Sequence, residues 1–294
     1  MTTGYLFVLL AVLAGSTKGG ISKKLSGSIK SAEDNLFING LRMVICTIIA
    51  FASVLLSDSI DVIRADCGLI FLSFISAVSF AGFTYTWMLC AKSGALVMID
   101  VFLTAGVILP MVGGWIFWGD AVTFRQWAGF GVLLIGVGFL CAFHNSIKPR
   151  MTGKLLLLLI ACGTMNGIQS FSQKLFTVRY PGIGTVSFQF YTYLFAAILF
   201  LAIMCVKKVS PINCFRENKH IGGIVLISLL LYLNLFFKLL AGRILSAARI
   251  YPLCQGLGIL NTSLIAMFCF GEKLNYKAAV GMLISFGGLL LINL

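Results

Sequence analysis

Asp100 is the one acid set inside an apolar run, with Met98, Ile99, Val101 and Phe102 around it. A carboxyl group in such surroundings is costly unless it serves a proton, a cation, a substrate amine or a basic partner. Arg249 lies in another apolar run, beside Tyr251 and Pro252. Its planar guanidinium suits a carboxylate or phosphoryl group through two parallel hydrogen bonds, and would equally serve a salt bridge. Lys238 follows Asn234 by four residues, and Lys18 sits in Thr17-Lys18-Gly19-Gly20. Each lysine either faces the protein interior or reaches its ammonium out to lipid headgroups. These four charges are the candidates for ligand contact. Asp100 is also the candidate for coupling to a proton or counter-substrate.

The elements that carry them are set by composition. The 294 residues are 60% hydrophobic and 11% charged, whereas soluble domains are roughly a quarter charged. Too much of any compact globule faces water for a soluble chain to hide this much apolar surface. Lipid is therefore the solvent, and partner, for most of the surface. Crossing the hydrocarbon takes roughly 20 apolar residues as a helix, or about 10 alternating ones as a barrel strand. Ten apolar segments read as helices: residues 5–21, 36–56, 68–90, 95–118, 127–143, 155–171, 186–206, 221–240, 247–270 and 276–293. No Lys or Arg precedes the first, so it is expected to be a retained helix rather than a signal peptide. The nine cysteines form no CxxC pair and sit mostly in apolar runs, as small hydrophobes.

The chain repeats itself. An offset of 152 lays Gly119-Asp120 on Gly271-Glu272, Gly129 on Gly281 and Gly136 on Gly288. An offset of 150 lays Ser22-x-Lys24-Leu25 on Ser172-x-Lys174-Leu175. Residues 1–145 and 146–294 are thus expected to be two repeats of five helices each. Five is odd, so the second repeat enters the membrane from the opposite side. The expected fold is an all-α integral membrane protein of ten transmembrane helices, built as two inverted five-helix repeats. Each half could then gate one side of a shared site. Within that frame Arg249 and Asp100 would enter from opposite faces to depths of about 10 Å, bracketing a midplane cavity.

Pro110, followed by Gly113-Gly114, and Pro252 are expected to break or kink segments 4 and 9 and to act as hinges. The glycines of segments 5 and 10 allow close helix packing, within the chain or between two copies, so either a monomer or a homodimer fits. Lys24 and Lys174 read as interfacial anchors, and Asp120 and Glu272 as caps or hinge salt bridges at helix junctions. The connections after odd-numbered segments carry thirteen basic residues, from Lys23 to Lys277, against five on the other face: Arg64, Arg125, Lys174, Arg179 and Arg243. That asymmetry puts both termini outside the cytoplasm. No nucleophile–base pair, metal-ligand spacing or phosphate-binding loop occurs, so no enzyme, metal or cofactor is expected. The net charge of +13 fits anionic lipid, and no nucleic-acid motif is present.

The whole chain resembles the ten-helix EamA-like members of the drug/metabolite transporter superfamily. The likeness is strongest at Gly119-Asp120 with Trp127-x-Gly129, and at Gly271-Glu272-Lys273 with Gly281. Asp120 replaces the family's usual Glu. Residues 251–258 through Glu272 also resemble the third and fourth helices of small multidrug resistance proteins. Those relatives couple to protons through a Glu in their first helix. This chain has no acid in segment 1 or 6, so that coupling does not carry over. The resemblance implies secondary transport of a small organic solute, in a bacterial inner membrane, through a cavity lined by segments 1, 3, 4, 6, 8 and 9. It would place Tyr85, Gln169, Tyr232, Tyr251 and Gln255 on the cavity wall. More basic than acidic charge there tilts the expected substrate toward an anionic or zwitterionic metabolite such as an amino acid or organic acid. The alternative is a carrier of cationic or aromatic compounds such as quaternary amines, using Asp100. An ion channel would need a continuous polar lining, which is not visible. A structural membrane protein is the remaining alternative.

Overall fold

A computed structural model of the chain describes residues 2–26, 31–56, 66–93, 96–143, 152–209, 221–270 and 276–294. Gly271, Glu272 and Lys273 lie outside the described residues, as does the side chain of Lys24. Every described element is a helix: α1 (Thr2–Ser26), α2 (Ala32–Leu56), α3 (Cys67–Lys92), α4 (Leu96–Gly106), α5 (Ile108–Trp118), α6 (Phe124–Phe143), α7 (Gly153–Arg179), α8 (Thr185–Val206), α9 (Ile221–Ile244), α10 (Ala247–Phe270) and α11 (Tyr276–Asn293). Helices satisfy their own backbone in lipid, where no water is present to do so. Among the described residues nine spans are long and apolar enough to cross a membrane, with α4 and α5 together forming one of them. The tenth segment is α10, which interrupts its apolar run with Arg249, Gln255, Asn261, Thr262 and Ser263. Ile48, Phe71, Ile135, Leu157 and Leu229 are exposed on five different helices, as lipid-facing residues must be.

The helices pair as two five-helix repeats related by a two-fold axis require. The contact of α1 with α9 has its counterpart in that of α7 with α3. The contact of α1 with α10 is matched by that of α7 with α4 and α5, and α3 against α8 by α9 against α2. Two pairs join equivalent segments of the two halves, α2 with α8 and α6 with α11. The α6–α11 seam is glycine on glycine. A Cβ on Gly129 would lie 2.8 Å from the Gly288 carbonyl oxygen, and one on Gly281 2.6 Å from the Leu140 nitrogen. These glycines therefore join two helices of one chain. Gly131, Gly138 and Gly287, with nothing within 4 Å, face away from it.

The fourth segment breaks at Val107, not at the expected Pro110, Gly113 and Gly114, all of which are helical within α5. Proline has no N–H to offer the carbonyl four residues earlier, and its ring crowds that carbonyl. For Pro110 that carbonyl belongs to Gly106, the last residue of α4. It turns onto α7, where a Cβ on Gly167 would come within 2.5 Å of it. The Val107 N–H bonds to Thr104 O at 3.1 Å, tightening the turn. At Pro252 the helix runs on unbroken through α10. Gly119 ends α5 with a left-handed φ of 70°, and the following Asp120 N–H bonds back to Gly114 O at 3.1 Å. That geometry suits a residue without a Cβ.

Two large apolar clusters and one small one fill the bundle. The first joins α2, α3, α8 and most of α9. The second joins α1, α5, α6, α10 and α11. The third lies between α3, α4 and the start of α7. Two helices pass from one large cluster to the other. On α9 Leu235 and Leu239 belong to the first and Ala241 to the second, while on α1 Val8 and Val12 belong to the second and Ile21 to the first.

Candidate functional site

Lys18 and Lys238 occupy those two change-overs. Lys18 lies between Val12 and Ile21 on α1, and Lys238 between Leu235 and Ala241 on α9. Both sit deep in the protein yet keep part of their surface uncovered. Asn234, one turn before Lys238, ties the helices together by donating to Ala11 O at 2.7 Å. It lies across Gly15, where a Cβ would come within 2.7 Å of its amide nitrogen.

Lys238 is held from two sides. Its ammonium donates to Ser170 Oγ at 3.3 Å and stands 5.0 Å from the centre of the Tyr251 ring. A cation over an aromatic face is attracted by the ring's quadrupole. Tyr251 is itself buried, and its hydroxyl reaches the backbone of Lys174. The ring is therefore a fixed platform. Cys254, one turn along α10, lies in electrostatic range of Lys238.

Arg42 was not among the residues singled out from the sequence. It is 5% exposed on α2 and lies in electrostatic range of Lys18, as does Lys238. A relay of amides supports it. Tyr85 O accepts from Asn35 Nδ2 at 3.3 Å, Asn35 Oδ1 accepts from Asn39 Nδ2 at 2.6 Å, and Asn39 Oδ1 accepts from Arg42 Nη1 at 3.0 Å. The Arg42 Nε–H is buried with no partner among the described residues. The signal was present in the sequence: Asn35, Asn39 and Arg42 share one face of a helix at spacings of four and three. Among the described residues no acid interacts with Lys18, Arg42 or Lys238.

Of the other candidates, Tyr232 is buried near Arg42's neighbour Tyr193, their ring centres 6.4 Å apart, and its carbonyl accepts from Gln189 at 3.2 Å. Gln169 is buried on α7 next to Ser170, and Gln255 is half-buried next to Cys254. Tyr85 is half-buried and meets the basic cluster through its carbonyl rather than its ring. Lys18, Lys238, Tyr251 and Tyr232 are thus brought together. Asp100 and Arg249 are not. Asp100 lies on α4 beside Cys162 of α7, deep in the protein, and among the described residues no basic side chain neighbours it. Arg249 lies in the first turn of α10.

Lys174 is not an interfacial anchor. It is buried, and its ammonium donates to the carbonyls of Gly242 and Leu245, 2.9 Å each, at the end of α9. Asp120 is a cap, but for a helix of the other repeat: its Oδ2 accepts from the Ala247 N–H at the start of α10, at 3.1 Å, and from Trp118 Nε1 at 3.3 Å. A carboxylate at a helix start meets unpaired N–H groups and the positive end of the helix dipole. Asp120 and Lys174 also attract one another, so one face of the protein is tied by a connected set of charges. Among the described residues no group of three His, Cys, Asp or Glu could hold a metal ion.

No curated protein matches the sequence. Among the solved structures that match, one crystal structure superposes on it with a TM-score of 0.77, covering 99% of this chain and 97% of its own at 14% identity. At that identity the likeness is one of fold. The family model described as the EamA-like transporter family matches residues 2–142, the first five segments. Over its first five segments this chain is therefore similar to the EamA-like transporter family, and that match indicates a membrane transporter of the drug/metabolite type.

Proposed function

We propose that the protein is a secondary-active carrier that moves a small anionic metabolite through the cavity of Lys18, Arg42 and Lys238 by alternating access. The observation that carries this reading is Lys238. It is a cation deep in the bundle, held over Tyr251 by Ser170, with no acid among the described residues to neutralise it. An ammonium so placed in a membrane protein is costly unless a ligand or water meets it. The repeats, residues 1–145 and 146–294, would rock about the α2–α8 and α6–α11 pairs. The Val107 break in the fourth segment offers one element that can bend. The protein would lie in a bacterial inner membrane with both termini outside the cytoplasm. Moving the buried Lys174 out of the loop charges only sharpens the basic asymmetry behind that orientation.

Purified protein in liposomes preloaded with unlabelled organic acid should take up labelled acid by counterflow, saturably and with preference for one stereoisomer. A channel gives no counterflow. Lys238→Met should weaken anion affinity about 10- to 100-fold, as removal of one charge-assisted hydrogen bond does. Unchanged counterflow in that variant would overturn the reading. A second reading rests on Asp100, deep and without a basic neighbour among the described residues, as a site for an organic cation. It predicts uptake of quaternary amines that Asp100→Asn abolishes and Lys238→Met spares.

A further inference from the structure

We infer that the substrate is a doubly charged oxyanion, a dicarboxylate or a phosphate monoester, rather than an amino-acid zwitterion or a single carboxylate. This rests on the anion-carrier reading and narrows it.

Three features of the site carry it. The first is number: Lys18, Arg42 and Lys238 come from α1, α2 and α9, and Lys18 interacts with both of the others. A single carboxylate would leave most of that charge uncompensated in a medium that screens it poorly. The second is the donor set. Among the described residues Lys18 has no hydrogen-bond partner, Lys238 has a single hydroxyl, and Arg42 keeps one buried N–H unpaired. Buried donors of this kind are normally satisfied, so open ones around one cavity imply an acceptor-rich guest. Oxyanions with several oxygens and no N–H meet that description. The third is what is missing. A zwitterion needs an acceptor for its ammonium, and the deep lone carboxyl, Asp100, stands with the separate α3–α4–α7 cluster beside Cys162. An amino acid in this cavity would set its ammonium among three cations.

The site also discriminates by position. Arg42 is fixed by the Asn39–Asn35 relay and Lys238 by Ser170 and Tyr251, so the two are preset. Lys18 has no such fixing bond among the described residues and can close on a guest that reaches both. A guest with one charged end satisfies Lys238 or Arg42 but not the pair.

The test is ligand-induced thermal stabilisation of the purified full-length protein at neutral pH, with succinate, methyl phosphate, acetate, glycine and tetramethylammonium as probes. A ligand that binds only the folded state raises the melting temperature in proportion to its saturation. Succinate or methyl phosphate should act at concentrations about 10-fold or more below acetate and glycine. Lys18→Gln should weaken succinate and methyl phosphate more than acetate, and so erase most of that advantage. Removing Lys18 strands no partner group, so this variant should fold, and the comparison of probes needs no variant at all. If acetate or glycine matches the dianions, or if Lys18→Gln weakens every anion alike, the dianion inference fails while the anion carrier stands. If no anion acts and tetramethylammonium does, the anion-carrier reading falls with it.

Discussion

Leucine in place of Gly288 is expected to lower the melting temperature of the detergent-solubilised protein by more than about 6 °C, with early loss of the monodisperse species. The same change at the neighbouring Gly287 should leave it within about 2 °C of the parent. The two glycines differ only in what they face. A Cβ at 288 would lie 2.6 Å from the Leu133 nitrogen and 2.7 Å from the Gly129 carbonyl oxygen, both backbone atoms of α6. Backbone cannot rotate aside as a side chain can, so α6 and α11 must separate along their length. That costs the dispersion contacts that hold helices together in lipid, where apolar burial gives no further drive. A Cβ at 287 meets open space. Differential scanning fluorimetry with size-exclusion profiles of the two variants measures the difference. Equal melting temperatures would mean that the α6–α11 seam does not hold the fold.

Lys174→Met should have the second largest effect, on stability and on access to the cavity together. The ammonium makes two hydrogen bonds to the carbonyls of Gly242 and Leu245. Each is a bond to a charged donor, worth about 1.5–3 kcal/mol, and both carbonyls are deprived of it at once. The Gly242 carbonyl retains only Thr177 Oγ1 at 3.2 Å. A loss of about 3 kcal/mol is expected, or roughly 6–12 °C in melting temperature for a chain of this size. The same contacts fasten the end of α7 to the α9–α10 turn, which Asp120 holds from the α5–α6 junction. Loosening that face should let a water-soluble maleimide reach Cys254, which is half-buried beside Lys238. Faster modification of Cys254 by mass spectrometry, in Lys174→Met and in Asp120→Ala, is the expected result. The double variant should be no faster than the quicker single, because both remove one tie. A drop in melting temperature without faster labelling would make the contact structural only.

Much of this architecture was legible in the residues. Hydropathy and segment length fix membrane helices locally, because a helix in lipid closes its own hydrogen bonds whatever its neighbours do. The repeat was legible for a similar reason: Gly119-Asp120, Gly129 and Gly136 recur at fixed spacing as Gly271-Glu272, Gly281 and Gly288. That Lys18 and Lys238 were worth weighing followed from the cost of charge in an apolar run. Pro110 announced a break, and the chemistry of its missing N–H places that break at the carbonyl four residues earlier, by Gly106 and Val107.

What the sequence did not carry is which helix meets which. Arg42 joins Lys18 and Lys238 only because α9 packs against both α1 and α2, across residues far apart in the chain. Asp100 and Arg249 read as a facing pair on depth alone, but depth says nothing about azimuth around the bundle, and they stand apart. Lys174 looked like an anchor at a helix end. It is buried because the end of α9 arrives there with two carbonyls that its own helix cannot satisfy. Asp120 looked like a cap at a loop, and the helix it caps belongs to the other repeat. In each case the residue type fixed what the group needs, a donor, an acceptor or a counter-charge. The tertiary packing alone fixed which group meets that need, because a polar atom removed from water must take its partner from whatever backbone or side chain the fold brings within about 3 Å.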